Sequence, residues 1–557
     1  MSRSARTTRR RIQPYAWLGA GVVTLGLGAG LVSGTAVAGA DTGTGSADGM
    51  DGRAPAAASD TLATSPARVT PTPAKKNTRG GRGAPLPASA ASVHAGDAGA
   101  VVNPRGSVLR RGARPAAAAV PLPAADPAPN MDSWLPTTPI VPGEHVTMAL
   151  AEIATASQVL QAQTWGSGNV LAGLASIVPQ VFLYSGAASL GFWQTTNPGA
   201  QEFLANTAGI PIIAQVAQLN LVVNMWLPAI STTSLDAAAL FLPVVGLFGA
   251  PAAVAATGPI ISAARANGLV YAVVPLQVKA GTQPVANVSI NNGPRVPLLV
   301  DTGASGVVVL PSAVPNVETL TPVGNGDSCF SGGLCYHYET YRTTVDFGGG
   351  AVTDSGLVNV VTNNDEYPNS VQTFTNYFSW GADGIMGVGA NTAGPGPAPI
   401  ANATLPGELS DGVLIWQNLL PFGLGGLLVF GLNPLPTRVS LPGAPDAYVK
   451  VSVNGAPQTT AGAIIDSGGV YGTLPLANAP AGSVAGQDLP AGTVISVYSA
   501  DGGTLLYTFT TLSGDRATPV IASGLMNTGN APYAQNPVYM NYAGPGGGIG
   551  STDFSIW

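Results

Sequence analysis

Leu298-Leu299-Val300-Asp301-Thr302-Gly303-Ala304 and Ala463-Ile464-Ile465-Asp466-Ser467-Gly468-Gly469 are two copies of one pattern. Each reads as an apolar strand ending in Asp, followed by a hydroxyl residue and Gly. The match extends outward in both directions. Asn287-Val288-Ser289-Ile290-Asn291 mirrors Lys450-Val451-Ser452-Val453-Asn454, and Val309-Leu310-Pro311 mirrors Thr473-Leu474-Pro475. A duplication with one carboxylate per copy predicts two lobes meeting at a shared pair of aspartates. Two carboxylates held close cannot both ionise, so they share a proton, which places an acid and a base in one site. Asp41-Thr42-Gly43 and Asp354-Ser355-Gly356 carry the same triplet. They lack the apolar pair before Asp and the strand-like run after it, and read as ordinary turn chemistry.

From near Val285 to Trp557 the chain resembles the aspartic protease family in its single-chain, pepsin-like form. The resemblance implies a mostly β, bilobal fold with Asp301 and Asp466 as the catalytic dyad. One carboxylate would take a proton from a bound water while the other protonates the scissile carbonyl oxygen. No covalent intermediate, cofactor or metal is implied. Thr302 and Ser467 would lock the two loops together, and Gly303 and Gly468 would permit the tight turn that projects each Asp into a cleft. Ala382-Asp383-Gly384-Ile385-Met386-Gly387-Val388-Gly389 looks like the family's strand behind the first loop, and Gly425 to Gly431 like the apolar segment between the lobes. Tyr336, Tyr338 and Tyr341 are candidates for the flap residue over the cleft. Cys329 and Cys335 are the only cysteines. In an exported chain they point to a disulfide, and pepsin-like enzymes carry a short disulfide loop here; two free thiols are the alternative.

The chain departs from the family pattern after each Gly. A Ser or Thr there often donates to the Asp, and this chain has Ala304 and Gly469. Fewer donors to the ionised form predict raised dyad pKa values and activity extending toward neutral pH. Within the family, Leu299 to Gly306, Ile464 to Gly469 and the Ala/Gly-rich leader resemble the mycobacterial branch associated with PE domains. That branch is tied to surface proteolysis, including trimming of PE domains. This chain opens differently, with a basic, apolar segment instead of a recognisable PE helical pair.

At 557 residues the chain is too long for one ordinary domain. Charged residues make up only 9% and the net charge is −6, which argues against nucleic acid as a partner. Residues 1–40 read as a signal peptide or anchor. Arg3, Arg6 and Arg9 to Arg11 form a basic head, Tyr15 to Val32 an apolar body, and Ala36-Val37-Ala38 a small-residue cleavage candidate. Residues 41–130, rich in Ala, Pro and Gly, are expected to be a disordered linker and a candidate for self-cleavage. Residues 131–265 read as a helical apolar region, which Pro228, Pro243, Pro251 and Pro259 should break into short helices. That region could pack on itself, on the protease or on a partner, cover the cleft as a pro-segment, or cross a membrane within 237–264. Residues 266–557 form the expected protease domain, with lobes at about 266–435 and 436–557.

The expectation is therefore an exported aspartic endopeptidase, secreted or associated with the cell envelope, monomeric in its protease domain. Its substrates would be envelope or secreted proteins, and itself. The alternative is a non-enzymatic envelope interaction protein on a protease-derived scaffold. A Ser hydrolase would need a Gly-x-Ser-x-Gly elbow paired with His, and none lies near a strand end. A zinc protease is disfavoured, because His94, His145 and His337 form no His-Glu-x-x-His pattern.

Overall fold

The computed structural model describes residues 143–556 except 331–332, 364–372, 401–404, 418–424 and 543–549. The expected export segment, the linker and most of the Gly-rich connection before Gly550 lie outside the described residues. The described chain opens with four helices: α1 (Glu144–Gln163), α2 (Val170–Thr207), α3 (Ile213–Leu247) and α4 (Pro251–Asn267).

These helices are not short. Pro228 and Pro243 lie inside α3, Pro179 and Pro198 inside α2, and Pro259 inside α4. Of the four prolines expected to break the region, Pro251 alone marks a boundary, in a first turn where its missing N–H is no loss. An internal Pro costs about 3 kcal/mol in an isolated helix. Here α2 and α3 each bury a face along most of their length, and that burial outweighs the missing bonds. Leu183, Leu235, Leu242 and Val245 pack with Ile153, Leu160 and Ile261 in a core shared by the four helices. The chain turns between α3 and α4 at Gly249, whose φ of +91° suits glycine alone. The 237–264 run is therefore two helices rather than one span. By length and composition α2 and α3 themselves are long and apolar enough to cross a membrane.

The rest of the described chain is mostly strands. The first group is β1 (Tyr271–Lys279), β2 (Gln283–Ile290), β3 (Arg295–Asp301), β4 (Ser305–Val309), β5 (Pro322–Cys329), β6 (Cys335–Gly348), β7 (Ala351–Asn363) and β8 (Gly384–Val388). Then come β9 (Gly412–Trp416), β10 (Gly426–Gly431), β11 (Thr437–Pro442), β12 (Asp446–Val453), β13 (Thr459–Ile464) and β14 (Leu474–Pro475). The last are β15 (Val494–Tyr498), β16 (Leu505–Thr510), β17 (Val520–Ile521), β18 (Met526–Asn527), β19 (Val538–Asn541) and β20 (Ser551–Ser555).

A large barrel-like sheet runs β11-β20-β19-β9-β10-β1-β2-β3-β8-β4-β7-β6-β5, closed further by a β2–β6 pairing; a smaller one runs β16-β15-β12-β13-β18. The duplicated segments make the same local structure. Asn291 and Asn454, at matching positions after β2 and β12, both turn the chain at φ near +50°, a region Asn tolerates. Thr493 to Tyr498 and Thr504 to Thr510, on either side of Gly502-Gly503, read by sequence as a hairpin, and they form β15–β16, antiparallel from Val494↔Thr510. The chain's last strands differ from expectation. By sequence, Val538 to Tyr542 and Phe554 to Trp557 can close the second sheet; β19 and β20 instead pair with β9 and β11 in the large one. Apolar Val538 and Met540 are buried there in the shared core beneath both Asp loops, which explains the preference.

Strand alternation decides where the helices sit. Ala272, Val274, Val413, Ile415, Leu428, Phe430, Val538 and Met540 face a core that also holds Val300 and Ile465, the residues before the two aspartates. Their neighbours Tyr271, Leu414, Trp416, Val429 and Tyr539 face Leu190, Trp193, Leu204 and Leu221 of the helices. Successive side chains of a strand point to opposite faces. The described helices therefore pack on the sheet face opposite the one that meets the residues before the two aspartates.

Candidate active site

Asp301 ends β3, which pairs in parallel with β8 through Leu299↔Ile385 and Asp301↔Gly387. Asp466 follows β13, which pairs in parallel with β18 through Ile464↔Asn527. Both Asp side chains are fully buried. The two loops are pressed together. A Cβ added at Gly303 would stand 2.5 Å from Cγ of Asp466, and one at Gly468 would stand 2.8 Å from Cγ of Asp301. Each carboxyl thus lies against the other loop's glycine. Turn geometry is not the reason for glycine here, since neither residue is among those with positive φ. The requirement is close approach, and any side chain would drive the aspartates apart.

A reciprocal lattice of hydrogen bonds holds the contact. The Thr302 backbone N–H donates to Ser467 Oγ at 3.1 Å, and the Ser467 N–H donates to Thr302 Oγ1 at 2.8 Å. The hydroxyls in turn donate across the junction, Thr302 Oγ1 to the Ile465 carbonyl at 2.6 Å and Ser467 Oγ to the Val300 carbonyl at 2.7 Å. Tyr533, also buried, donates to the same Ile465 carbonyl at 2.8 Å.

The electrostatics are those of a pair. Burial pushes the Asp301 carboxyl well above the ordinary carboxylate range, and the neighbouring Asp466 pushes it further. Burial also raises Asp466, but hydrogen bonds from Asp301, Asn527 and backbone N–H groups oppose the rise. Gly303 N–H donates to Asp301 Oδ1 at 2.7 Å, and Gly468 N–H donates to Asp466 Oδ1 at 2.8 Å. Neither Ala304 nor Gly469 offers a hydroxyl to its aspartate, but beside Gly469 another residue supplies a side-chain donor. There Asn527 Nδ2 donates to Asp466 Oδ2 at 2.6 Å. Asp466 is further tied through its own N–H to Thr528 Oγ1 at 3.0 Å.

The tyrosines singled out from sequence lie on β6. Tyr336 is buried among Phe330 and Phe374, Tyr338 lies across Gly326 on the facing strand, and the Tyr341 hydroxyl donates to Glu339 at 2.5 Å. Burial first, and then the charges of Asp301 and Asp466, push the Tyr377 and Tyr533 hydroxyls well above their ordinary range. Tyr377 sits in the short helix α5 (Phe374–Tyr377), stacked on Phe330, with its hydroxyl buried and unpartnered. The aromatic density of Phe374, Tyr377, Phe378 and Trp380 was the signal that could have drawn attention to it. Asn527 left no such mark, because its role depends on strand pairing. Cys329 and Cys335 form a disulfide where β5 meets β6. Among the described residues no three His, Cys, Asp or Glu side chains converge as metal ligands would.

The family profile of the PE-PGRS C-terminal aspartyl peptidase-like domain matches residues 272–552. The PE cleavage protein A of Mycobacterium tuberculosis (strain H37Rv) is 41% identical over 303 residues, covering 50% of this chain and 51% of that protein. The protein of the same name from Mycobacterium marinum is 41% identical over 303 residues, covering 51% and 52%. The chain thus spans about half the length of the curated relatives it matches.

Proposed function

The chain belongs to the family of PE-PGRS C-terminal aspartyl peptidase-like domains, and from that premise we propose that it is an exported aspartic endopeptidase. In this reading residues 266–557 are a bilobal, pepsin-like unit, and Asp301 and Asp466 are its catalytic dyad. One carboxylate removes a proton from a water molecule, whose oxygen attacks the peptide carbonyl carbon. The other gives its proton to the carbonyl oxygen. Collapse of the tetrahedral intermediate returns a proton to the departing amine and breaks the C–N bond. Thr302 and Ser467 keep the two loops in register, with Gly303 and Gly468 giving the room.

The observation that carries the reading is the mutual contact of the loops, each aspartate seated against the other's glycine. Ordinary strand-end turns have no need for it. A buried, proton-sharing pair also fits an acid–base role at mildly acidic pH. The names of the relatives suggest PE-type proteins as substrates, and the low charge and basic, apolar leader fit a place in the cell envelope. The order of segments we propose is an export signal or anchor at 1–40, a linker at 41–130 that the enzyme itself could cut, and a helical region at 131–265 bound behind the protease.

Digestion of a peptide library with the full chain tests the function. Cleavage should be blocked by pepstatin and lost in Asp301→Asn and Asp466→Asn. Absence of cleavage by the wild-type chain at every pH from 3 to 8 would instead favour the non-enzymatic envelope protein.

A further inference from the structure

The second loop lacks the side chain that would ordinarily steady its aspartate, and another residue occupies that space. A Cβ at Gly469 would lie 2.0 Å from Oδ1 and 2.9 Å from Nδ2 of Asn527. The Asn527 amide therefore fills the volume that any residue larger than glycine at 469 would need. Its orientation is set by its neighbours. Oδ1 accepts from the Gly529 backbone N–H at 2.8 Å, which leaves Nδ2 to donate to Asp466 Oδ2 at 2.6 Å. A flipped amide would set its NH2 against an N–H and its oxygen against a carboxylate. The backbone is held as well, with Asn527 N–H on Thr473 Oγ1 at 3.2 Å and Thr473 N–H on the Asn527 carbonyl at 2.9 Å.

The first loop has no counterpart. Ala304 offers only a methyl group, and Asp301 Oδ2 is buried without a partner. An ionised carboxylate with one bare, buried oxygen is costly, whereas a neutral acid turns that oxygen into a donor toward its neighbour. Asp466, with both oxygens supplied with donors, is the natural acceptor.

Building on the reading of Asp301 and Asp466 as a dyad, we propose that Asn527 is a positioning residue that keeps Asp466 ionised and leaves the shared proton on Asp301. Asp466 is then the group that takes the proton from the attacking water. Asp301 gives its proton to the carbonyl oxygen, becoming the carboxylate as Asp466 becomes the acid. In the second half-reaction the amide nitrogen takes the proton from Asp466, Asp301 recovers one from the diol, and the C–N bond breaks. The Asn527 amide acts through Asp466, on which its Nδ2 donates.

The test uses the full chain and a fluorogenic peptide chosen from its own cleavage products, with kcat and kcat/KM measured from pH 3 to 8. Replacing Asn527 with Ala removes one charge-assisted hydrogen bond from the ionised aspartate. The acid limb should move up by about one to two pH units, with kcat lowered at least tenfold at pH 4 and KM changed less than threefold. Gly469→Thr alone should be nearly inactive, because its side chain collides with the amide. Gly469→Thr combined with Asn527→Ala has room for the hydroxyl, and should recover at least half of the shift in the acid limb. If Asn527→Ala does not fold, Asn527→Asp keeps the shape and replaces the donor by an acceptor, and its acid limb should also rise. A wild-type enzyme that cleaves, with a variant whose acid limb stays within 0.3 pH units of it, overturns the role of Asn527 alone. A wild-type chain without pepstatin-sensitive cleavage overturns the dyad reading and this proposal together.

Discussion

Replacing Asp411 with Asn should make the protein more stable as pH rises, and the size of the effect follows from a second buried carboxyl pair. Asp411 and Glu408 lie behind β9, where the helices meet the large sheet. Glu408 Oε1 accepts from the His145 backbone N–H at 3.1 Å, which ties the pair to the start of α1. Glu408 Oε2 and both side-chain oxygens of Asp411 are buried without partners. One proton on Asp411, directed at Glu408, satisfies an oxygen on each. Burial, then the hydrogen bond and charge of Glu408, push the Asp411 carboxyl up to about 8. In the unfolded chain it titrates near 3.8. Between those values the folded state binds the proton and the unfolded state does not, so stability is greatest at low pH and is lost as pH rises toward 8. A single group contributes a slope of about 1.4 kcal/mol per pH unit there. Asn cannot ionise, and its NH2 still donates to Glu408. The stability curves of Asp411→Asn and its parent should therefore diverge by about 3 kcal/mol between pH 5 and pH 7, the variant being the more stable. Urea unfolding followed by tryptophan fluorescence measures this, with Trp416 buried on the adjoining strand as reporter. An Asp301→Asn background guards the measurement against the self-cleavage proposed above. Asp446, raised to about 7 mainly by burial, pulls stability in the same direction in both proteins and drops out of the comparison. Parallel curves, within about 0.5 kcal/mol at each pH, would show that Asp411 is not the protonated member and refute the reasoning.

Two further outcomes are expected. Thr302→Val keeps the shape of the side chain but leaves the Ser467 N–H without its acceptor, and should cost about 2–3 kcal/mol of stability and most of the cleavage activity; unchanged melting and turnover would remove Thr302 from the junction. Trp193→Ala empties a buried site where the indole meets Tyr271 edge-on at 5.9 Å, a loss of about 3–5 kcal/mol at the helix–sheet contact. Amide exchange in 144–267 should quicken while β3 and β13 remain protected, and uniform protection would show that the helices do not rely on this ring.

Much of this organisation was legible in the chain itself. The Asp-hydroxyl-Gly pattern, its apolar approach and its flanks are local features, and the match between the two copies set them apart from the stray triplets at Asp41 and Asp354. The same holds for the Cys329–Cys335 pairing and for the hairpin at 493–510, where spacing and turn residues act over a few positions. Proline was misleading for a physical reason. Its cost is local, whereas the burial that offsets it along α2 and α3 comes from residues on other elements.

The sequence by itself determined that two short loops of like chemistry end two apolar strands, and that low charge and an apolar N-terminal half surround them. Only the tertiary structure decided that the helices lie behind the sheet, that β19 and β20 join the larger sheet, and that Asn527 reaches Asp466. Local backbone preference and strand periodicity are written in neighbouring residues. Which face a strand turns to which partner, and which distant amide fills the space left by a glycine, depend on packing that exists only once the chain has closed on itself.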